Sequence, residues 1–271
     1  MIRDITLGQY YQADSVIHRL DPRVKLMATL VYIVSLFLTE NFIAYGIAAL
    51  FLIVMIVLSK VPFRFMIRGM KPILFLMLLT VLINLFTATG EKLVSFWVFT
   101  ITVEGVKRAV LMVFRLSFLV IGSSIMTLTT TPNHLTDGLE KGLGFLRVIR
   151  VPVHEIAMMM SIALRFIPIL MEETDKIMKA QIARGADFES GNLFKRAKSM
   201  VPLLVPLFVS AFRRANDLAM AMEARCYRGG KGRTKMKPLH YKGRDWLAYL
   251  ILALYLAGII MIKIYLKWAL I

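Results

Sequence analysis

Cysteine and acidic side chains are scarce in this chain of 271 residues. The single cysteine, Cys226, permits no internal disulfide, so no oxidising framework is implied. The 17 Asp and Glu residues are outnumbered by 34 Lys and Arg, which gives a formal net charge of +17 at pH 7. The chain is therefore strongly basic.

Apolar residues, by contrast, are abundant: they make up 58% of the chain, and the mean hydropathy is +0.68. Both values exceed ordinary globular usage. High apolar content and strong basicity fit together when apolar spans lie in lipid and basic loops lie on the cytoplasmic face. Nucleic-acid binding would also use positive charge, but no compact soluble domain hides this much apolar surface in uninterrupted runs. We therefore expect a membrane protein without a nucleic-acid partner.

Two short motifs are also missing. Residues 1–23 are mixed and polar, and the first apolar run begins near Val24 without an Ala-x-Ala-like cleavage site after it. We therefore expect no cleaved signal peptide. No Gly-x-x-x-x-Gly-Lys-[Ser/Thr] loop is present, because the residue six positions before Lys231 is Arg225 rather than glycine. Any ATP chemistry, with its Mg²⁺, is therefore expected to belong to a partner.

Candidate spans follow from the apolar runs, since about 20 apolar residues cross a bilayer. The first two candidates are short and joined by a tight Glu40-Asn41 turn, which predicts a helical hairpin. Residues 93–103 are too short to span and carry aromatic rings, so an interfacial or re-entrant loop is expected there. The five predicted spans are residues 24–39, 42–58, 72–88, 109–128 and 246–266.

The distribution of basic residues predicts the orientation. The N-terminal arm and the loop after the second span are basic, whereas the loops after the first and third spans are neutral or mixed. Because basic loops favour the cytoplasmic side, we expect the N-terminus and residues 131–244 inside and the C-terminus outside. Arg115, near the outer end of the fourth span, could snorkel to the interface.

Residues 131–244 are predicted to be helical rather than a tail. Thr131 followed by Pro132 is typical of an N-cap and a proline at the first helical position, opening a short helix to about residue 145. A second helix is expected from Pro152 to Arg184.

Prolines and glycines punctuate the rest of this segment. Pro168 should kink the second helix, and Gly185 should stop it. A third helix, interrupted or kinked near Pro202 and Pro206, is expected to run to about Arg225. Apolar residues at helical spacing predict that these helices lie at the membrane surface.

The sequence therefore predicts an all-α integral membrane protein with about five transmembrane helices plus long amphipathic cytoplasmic helices. Residues 1–130 are expected to form an N-terminal arm and a four-span membrane bundle. Residues 131–244 are expected to form a cytoplasmic helical module, and residues 245–271 the final transmembrane helix.

Two nearly identical triplets, each with one arginine between small residues, occur at predicted helix ends within the basic segment. Small neighbours leave each arginine open to a partner surface, and a guanidinium offers five donors in a fixed fork that suits carboxylates and helix C-terminal carbonyls. A solvated arginine at a helix end, favourable to the helix dipole, explains them equally well. From the residues alone, both interpretations remain open. The two triplets are Ala183-Arg184-Gly185 and Ala224-Arg225-Cys226.

Two alternative functions also remain open. His154-Glu155 resembles half of a zinc-hydrolase His-Glu-x-x-His helix, but residue 158 is methionine. Glu172 and Glu173 could serve a membrane-embedded hydrolase, although no pair of histidines suits metal binding. A self-contained secondary transporter would need an inverted repeat and a charged pathway, and neither is evident.

Six sequence blocks resemble one known family. They extend from near the N-terminus to the second arginine triplet, so only the last span lacks a motif. Together they resemble the transmembrane scaffold subunits, or T components, of energy-coupling factor transporters, the vitamin- and metal-importing branch of the ATP-binding cassette systems. The blocks are Leu20-Asp21-Pro22-Arg23 with Lys25, Thr129-Thr130-Thr131-Pro132, His154-Glu155-Ile156-Ala157, Ala163-Leu164-Arg165-Phe166-Ile167-Pro168, Ala180-Gln181-Ile182-Ala183-Arg184-Gly185, and Ala221-Met222-Glu223-Ala224-Arg225-Cys226-Tyr227.

This resemblance implies a non-catalytic scaffold in a bacterial or archaeal cell membrane, in which residues 131–244 form a cytoplasmic coupling-helix module of long amphipathic coupling helices. Two Ala-Arg-Gly signatures would insert into grooves of two cassette ATPases, and a separate small membrane subunit would capture the vitamin or metal. The chain itself would hold no cofactor or metal. Cys226 departs from the family's usual glycine. Carried over, the ATPase contacts are Ala183, Arg184, Gly185, Ala224, Arg225 and Cys226, and the structural motif positions are Asp21, Pro22, Arg23, Pro132 and Pro168.

Overall fold

The computed structural model describes residues 10–39, 41–87, 92–96, 99–188, 192, 194, 198–230, 234 and 236–269. Over these residues the chain is almost entirely helical, as the sequence predicts. Short 3₁₀ segments follow α3, at Lys71–Ile73, and α6, at Leu143–Ile149. The main elements are α1 (Pro22–Leu38), α2 (Phe42–Ser59), α3 (Phe63–Met70), α4 (Leu74–Thr87), β1 (Lys92–Phe96), β2 (Phe99–Thr102), α5 (Val103–Thr129), α6 (Pro132–Gly142), α7 (Val153–Ala183), α8 (Val201–Ala224) and α9 (Gly243–Ala269).

Five helical stretches within the described residues are long and apolar enough to cross a membrane. Four of them overlap predicted spans: α2, the continuous stretch Phe63–Thr87, α5, and Gly243–Tyr265 within α9. The fifth stretch is α7, which the sequence analysis assigned to the cytoplasmic segment. The predicted first span lies in α1, whose 17 residues are just at the lower limit for spanning.

Residues 92–102 differ from the predicted loop. They contain an antiparallel pair of strands, β1 and β2, in which Val94 faces Ile101 and Phe96 faces Phe99. The expectation of a loop is therefore wrong for the described strands, whereas their interfacial position stays a prediction. The physical reason is that β-branched and aromatic residues favour a pleated pair, which needs far fewer residues than a spanning helix.

The chain divides into two compact units, and the larger comprises Gly8–Lys141 with Leu239–Ile271. Within it, α5 packs against α1 to α4, and α9 packs against α1 and α2. Fully buried apolar side chains include Leu36, Met66 and Ile259. Gly122 permits this close packing, because a Cβ at that position would lie 2.7 Å from the Tyr32 ring.

The first helix begins at the motif Leu20-Asp21-Pro22-Arg23. Asp21 is its N-cap, accepting a hydrogen bond from the backbone N–H of Arg23 at 2.9 Å, and Pro22 follows at the first helical position. The Arg23 guanidinium donates to both oxygens of the same carboxylate, at 3.0 and 2.9 Å. Burial alone would raise the pKa of Asp21, but these hydrogen bonds together lower it below its usual range.

Asp245 joins the start of α9 to the start of α1. Its buried carboxylate accepts hydrogen bonds from the backbone N–H of Asp21 at 2.9 Å and of Lys242 at 2.7 Å. Arg23 reinforces the junction from the other side, because its guanidinium lies 3.8 Å from the centroid of the Tyr241 ring. These contacts hold the starts of α1 and α9 together.

Arg115 of α5 is bound within the larger unit rather than snorkelling. Its Nε donates to the Tyr45 hydroxyl at 2.9 Å, and its Nη2 donates to the carbonyl oxygen of Thr39 at 2.9 Å. Thr39 is the C-cap of α1, where a cation is favoured by the helix dipole. The Arg115 guanidinium therefore donates a hydrogen bond to a carbonyl group at the C-terminal end of α1, next to the α1–α2 connection.

The described residues of the smaller unit fall within Gly142–Pro238 and centre on α7 and α8, which pack on each other. This unit buries few apolar side chains: Val153, Ala157 and Leu203 are the buried ones among its described residues. Several large apolar side chains of α8 are exposed instead. Such exposure is typical of a surface that binds a partner or a membrane.

Candidate functional site

The candidate site consists of the C-terminal ends of α7 and α8, where the two arginine triplets lie. The 31 residues of α7 end at Ala183, with Arg184 as the C-cap residue. The 24 residues of α8 end at Ala224, with Arg225 as the C-cap residue. Both helices therefore end within one residue of the predicted positions.

The first end forms a Schellman cap. The backbone N–H of Gly185 donates to Ile182 O at 2.9 Å, and that of Ala186 donates to Gln181 O at 3.0 Å. Gly185 adopts a left-handed conformation with φ of +86°. This position favours glycine because a Cβ clashes with the neighbouring backbone when φ is positive. The prediction that Gly185 stops the helix is confirmed.

The second end forms the same cap with a different residue. The backbone N–H of Cys226 donates to Glu223 O at 2.8 Å, and that of Tyr227 donates to Met222 O at 3.0 Å. Cys226 takes the left-handed position, with φ of +56°. An L-residue with a Cβ is less stable there by about 1–2 kcal/mol. The two triplets are therefore geometrically equivalent although their third residues differ.

Both arginines are available to a partner. Arg184 and Arg225 are exposed, and neither guanidinium pairs with another side chain in the described part of the chain. The left-handed residue that follows each arginine turns the backbone away from the helix axis. Each helix therefore ends in an arginine flanked by small residues, beside carbonyl groups that carry the negative end of the helix dipole.

The two helices run antiparallel, as their side-chain contacts show. Near the end of α7, Gln181 Nε2 donates to Pro202 O at 3.4 Å, close to the start of α8. Farther back, Arg214 Nη2 lies 3.2 Å from Glu173 Oε2. Residue numbers on α8 therefore rise as those on α7 fall.

This arrangement places the two arginines at opposite ends of the helical pair. Arg184 lies beside the start of α8, whereas Arg225 lies at its end. A helix of 24 residues, the length of α8, is about 36 Å long. The two caps are therefore separated by roughly the length of α8.

The residues of the alternative hydrolase do not assemble into one site. His154 and Glu172 both lie on α7, 18 residues and hence about 27 Å apart along the helix. The His154 ring packs against Gly230, where a Cβ would lie 2.3 Å from it. Glu173 is paired with Arg214. No group of three potential metal-ligating side chains occurs among the described residues.

The two other motif prolines lie in helices. Pro132 begins α6, and the Thr131 hydroxyl accepts a hydrogen bond from the His134 backbone N–H at 3.3 Å, so the predicted helix start is confirmed. Pro168 lies inside α7, which continues through it. A kink at Pro168 stays a prediction.

Sequence reasoning missed two buried charged groups of the larger unit. Lys25 appeared only as part of a motif, yet its side chain is buried and donates to Thr129 O at 2.8 Å. Asp245 was not singled out, although an acidic residue in the first turn of a helix is a recognisable capping signal.

Comparison with known proteins identifies relatives over nearly the whole chain. The sequence profile of the CbiQ family, described as cobalt transport protein, matches residues 13–236. The energy-coupling factor transporter transmembrane protein EcfT of Clostridium kluyveri is 57% identical over 252 residues, which cover 92% of this chain and 93% of that protein. Proteins of the same name from Thermosediminibacter oceani and Acidaminococcus fermentans are 52% and 51% identical, covering 96% and 99% of this chain and 98% of each relative.

Proposed function

Because this chain belongs to the family of energy-coupling factor transporter transmembrane proteins, we propose that it transmits ATP-driven motion from two cassette ATPases to a separate membrane subunit that binds the substrate. The substrate class is a vitamin or a transition-metal ion. The chain itself is non-catalytic, and the nucleotide and its Mg²⁺ belong to the ATPases.

The observation that carries this proposal is the pair of matching caps at opposite ends of α7 and α8. Each cap presents one exposed arginine, Arg184 or Arg225, on the same backbone geometry. Two equivalent contacts about 36 Å apart suit two similar partner subunits, because one small domain cannot reach both. Closure of the two ATPases on ATP would then move both ends of a rigid helical pair.

Arginine suits such a contact chemically. Its guanidinium makes bidentate hydrogen bonds to carboxylates or to carbonyl groups that end a partner helix. Removing or reversing a desolvated charge at an interface leaves the other partner unpaired and weakens binding by about 2–5 kcal/mol. Each arginine should therefore contribute strongly to complex formation.

The antiparallel pairing also supports a location of α7 outside the bilayer, although its composition alone would allow it to span. The apolar first half of α7 lies beside the charged second half of α8, which carries Arg214, Asp217 and Glu223. A charged side chain at the bilayer centre is unfavourable by about 3 kcal/mol or more. If α7 crossed the membrane while packed on α8, the charged residues of α8 would also lie in the bilayer. This unfavourable placement supports a position of both helices outside it.

The exposed face of α8 supports contact with lipid or with the substrate-binding subunit. Val201, Val205, Phe208 and Phe212 recur at helical spacing, and all are exposed. On one helix pair, the arginine ends thus serve the ATPases and the apolar face serves the membrane side. Motion of the ends would tilt this face and the subunit resting on it.

Charge reversal at both caps tests the proposal. We expect the double variant Arg184→Glu with Arg225→Glu to insert into the membrane normally but to retain less than about a tenth of the ATPases on affinity purification. The readout is the ATPase-to-chain ratio in the purified complex, measured by quantitative mass spectrometry.

The matched control is Arg213→Glu, an exposed arginine on α8 away from either cap. It changes the net charge by the same amount per site and should leave the ratio unchanged. Intact complexes from the double variant would refute the assigned role of the two arginines. Substrate uptake into liposomes by the purified chain alone would instead support a self-contained secondary transporter.

A further inference from the structure

A cavity of about 150 Å³ lies within the larger unit, between the N-terminal arm and helices α1, α2, α5 and α9. It extends along α1 from Lys25 to Tyr32, a distance of about 10 Å along the helix. Its walls are almost entirely aliphatic and aromatic, and apolar cavities of this size stay dry and bind small apolar groups. Its interior therefore suits a hydrocarbon chain rather than a polar solute.

The cavity reaches the outer surface of the helical bundle. Leu58 on α2 and Leu247 and Ile251 on α9 line it, and all three are also exposed. A hydrocarbon chain in the surrounding bilayer can therefore enter from the side, without crossing a polar barrier.

One end of the cavity is basic. Lys25 lines it and is only 7% exposed; its ammonium donates to the carbonyl oxygens of His18 and Thr129 and has a third N–H. Arg244 lines the same end, and its buried Nε has no hydrogen-bond partner. Two cationic groups therefore meet an apolar cavity, and one of them has an unused buried donor.

Nearby carboxylates do not neutralise this end completely. Asp21 is bound by Arg23, and Asp245 accepts hydrogen bonds from two backbone N–H groups. Three cations thus face two carboxylates, and one positive charge remains. A buried donor without a partner is unfavourable, so an anion at this position would be stabilised.

We infer that this cavity binds the acyl chain of an anionic membrane amphiphile, with its head group held at Lys25 and Arg244. A phospholipid phosphate and a fatty-acid carboxylate share the required chemistry. Both present anionic oxygens next to a hydrocarbon chain.

Lipid retention by the full-length chain tests the site. The purified, delipidated protein in neutral detergent is incubated separately with dioleoyl phosphatidylglycerol, oleate and dioleoyl phosphatidylcholine, and bound molecules are counted by native mass spectrometry. We expect one retained molecule per chain for an anionic amphiphile, at an occupancy at least fivefold above that of phosphatidylcholine. Retention of phosphatidylglycerol identifies a phospholipid, and retention of oleate alone identifies a fatty acid.

Two variants separate the acyl contact from the head-group contact. Ala248→Phe fills the cavity and should abolish retention, whereas Ala253→Phe, an exposed alanine on the same helix outside the cavity, should not. Arg244→Gln adds no volume and should remove the preference for anionic lipids, whereas Arg64→Gln, at an exposed position on α3, should keep it.

The result that overturns the inference is equal retention of phosphatidylcholine and anionic lipids by the unaltered protein. Unchanged anionic retention in both Ala248→Phe and Arg244→Gln would overturn it as well. If Ala248→Phe does not fold, as judged by its melting temperature without lipid, Arg244→Gln decides alone.

Discussion

At the scale of single residues, the left-handed position after each arginine is where the two triplets differ. Gly185 adopts a positive φ without a Cβ, and beyond its chain neighbours no atom lies within 4 Å of the place where a Cβ would be. Cys226 adopts the same conformation with a Cβ and is therefore strained by its own backbone. The two caps thus have the same shape but different intrinsic stability.

Exchanging the two residues tests this difference. Cys226→Gly should stabilise the protein, and Gly185→Cys should destabilise it, each by about 1 kcal/mol, because only the left-handed strain changes. Thermal unfolding in detergent measures both effects. Gly144→Ala is the control: Gly144 has open space around it and no positive φ, so a shift comparable to that of Gly185→Cys would contradict this explanation.

At the scale of elements, α1 and α9 begin at one polar junction. Asp21 caps α1 and binds Arg23, while Asp245 accepts a hydrogen bond from the Asp21 backbone. A carboxylate therefore accepts hydrogen bonds at the start of each helix, and the Asp21 carboxylate must be ionised to pair with Arg23. This dependence makes the junction sensitive to acid.

The Asp21 carboxylate gives the expected pH dependence. Its folded-state pKa lies below the ordinary value of 3.8, so its contribution is fully present above pH 4 and is lost as pH falls through the folded-state pKa. Asp21→Asn keeps a capping oxygen but loses the ion pair and should be less stable at pH 7 by about 1 kcal/mol. Melting temperatures from pH 7 to pH 3 should converge for the two proteins in acid. A difference that stays constant with pH would contradict the assignment.

Much of this helical architecture could be predicted from the sequence, because local signals define it. Thr131 and Pro132, Gly185, and the long apolar runs mark helix starts, stops and spans through capping and hydropathy alone. The β1–β2 pair could not be predicted in this way, since strand pairing depends on contacts between segments rather than on local composition. Cys226 carried no signal for a left-handed residue except its likeness to the first triplet.

The site was predicted as residues but not as an arrangement. Both arginines were placed at helix ends correctly. Their separation could not be derived, because the antiparallel pairing of α7 and α8 rests on contacts such as Glu173 with Arg214, between residues far apart in sequence. Lys25 and Arg244 were likewise brought to one cavity by tertiary packing that no periodicity reveals.

At the scale of the whole molecule, the two units differ in how they bury apolar surface. The larger unit has a continuous core, whereas the smaller unit leaves apolar faces of α7 and α8 exposed among its described residues. A unit of this kind gains stability from its partners. The smaller unit should therefore be ordered most firmly in the assembled transporter.

The single native cysteine tests the proposed orientation without engineering. Cys226 is exposed, so a membrane-impermeant maleimide should label it in inside-out vesicles but not in intact cells. Bound ATPases should reduce that labelling, because they would cover the adjacent Arg225. In a Cys226→Ser background, a cysteine added after Ile271 should show the opposite sidedness. Labelling of Cys226 from outside would overturn the orientation.

The antiparallel pairing of α7 and α8 also makes the length of α8 set the distance between Arg184 and Arg225. Each residue inserted into α8 would move its arginine outward by about 1.5 Å and rotate it by about 100° around the axis. A seven-residue insertion restores the facing to within about 20° and lengthens the helix by about 10 Å. The spacing between the two arginines can therefore change only by insertions close to a whole number of turns, such as seven or eleven residues, if both are to keep their direction. In the proposed function, this spacing would select an ATPase pair with one separation between its two binding sites.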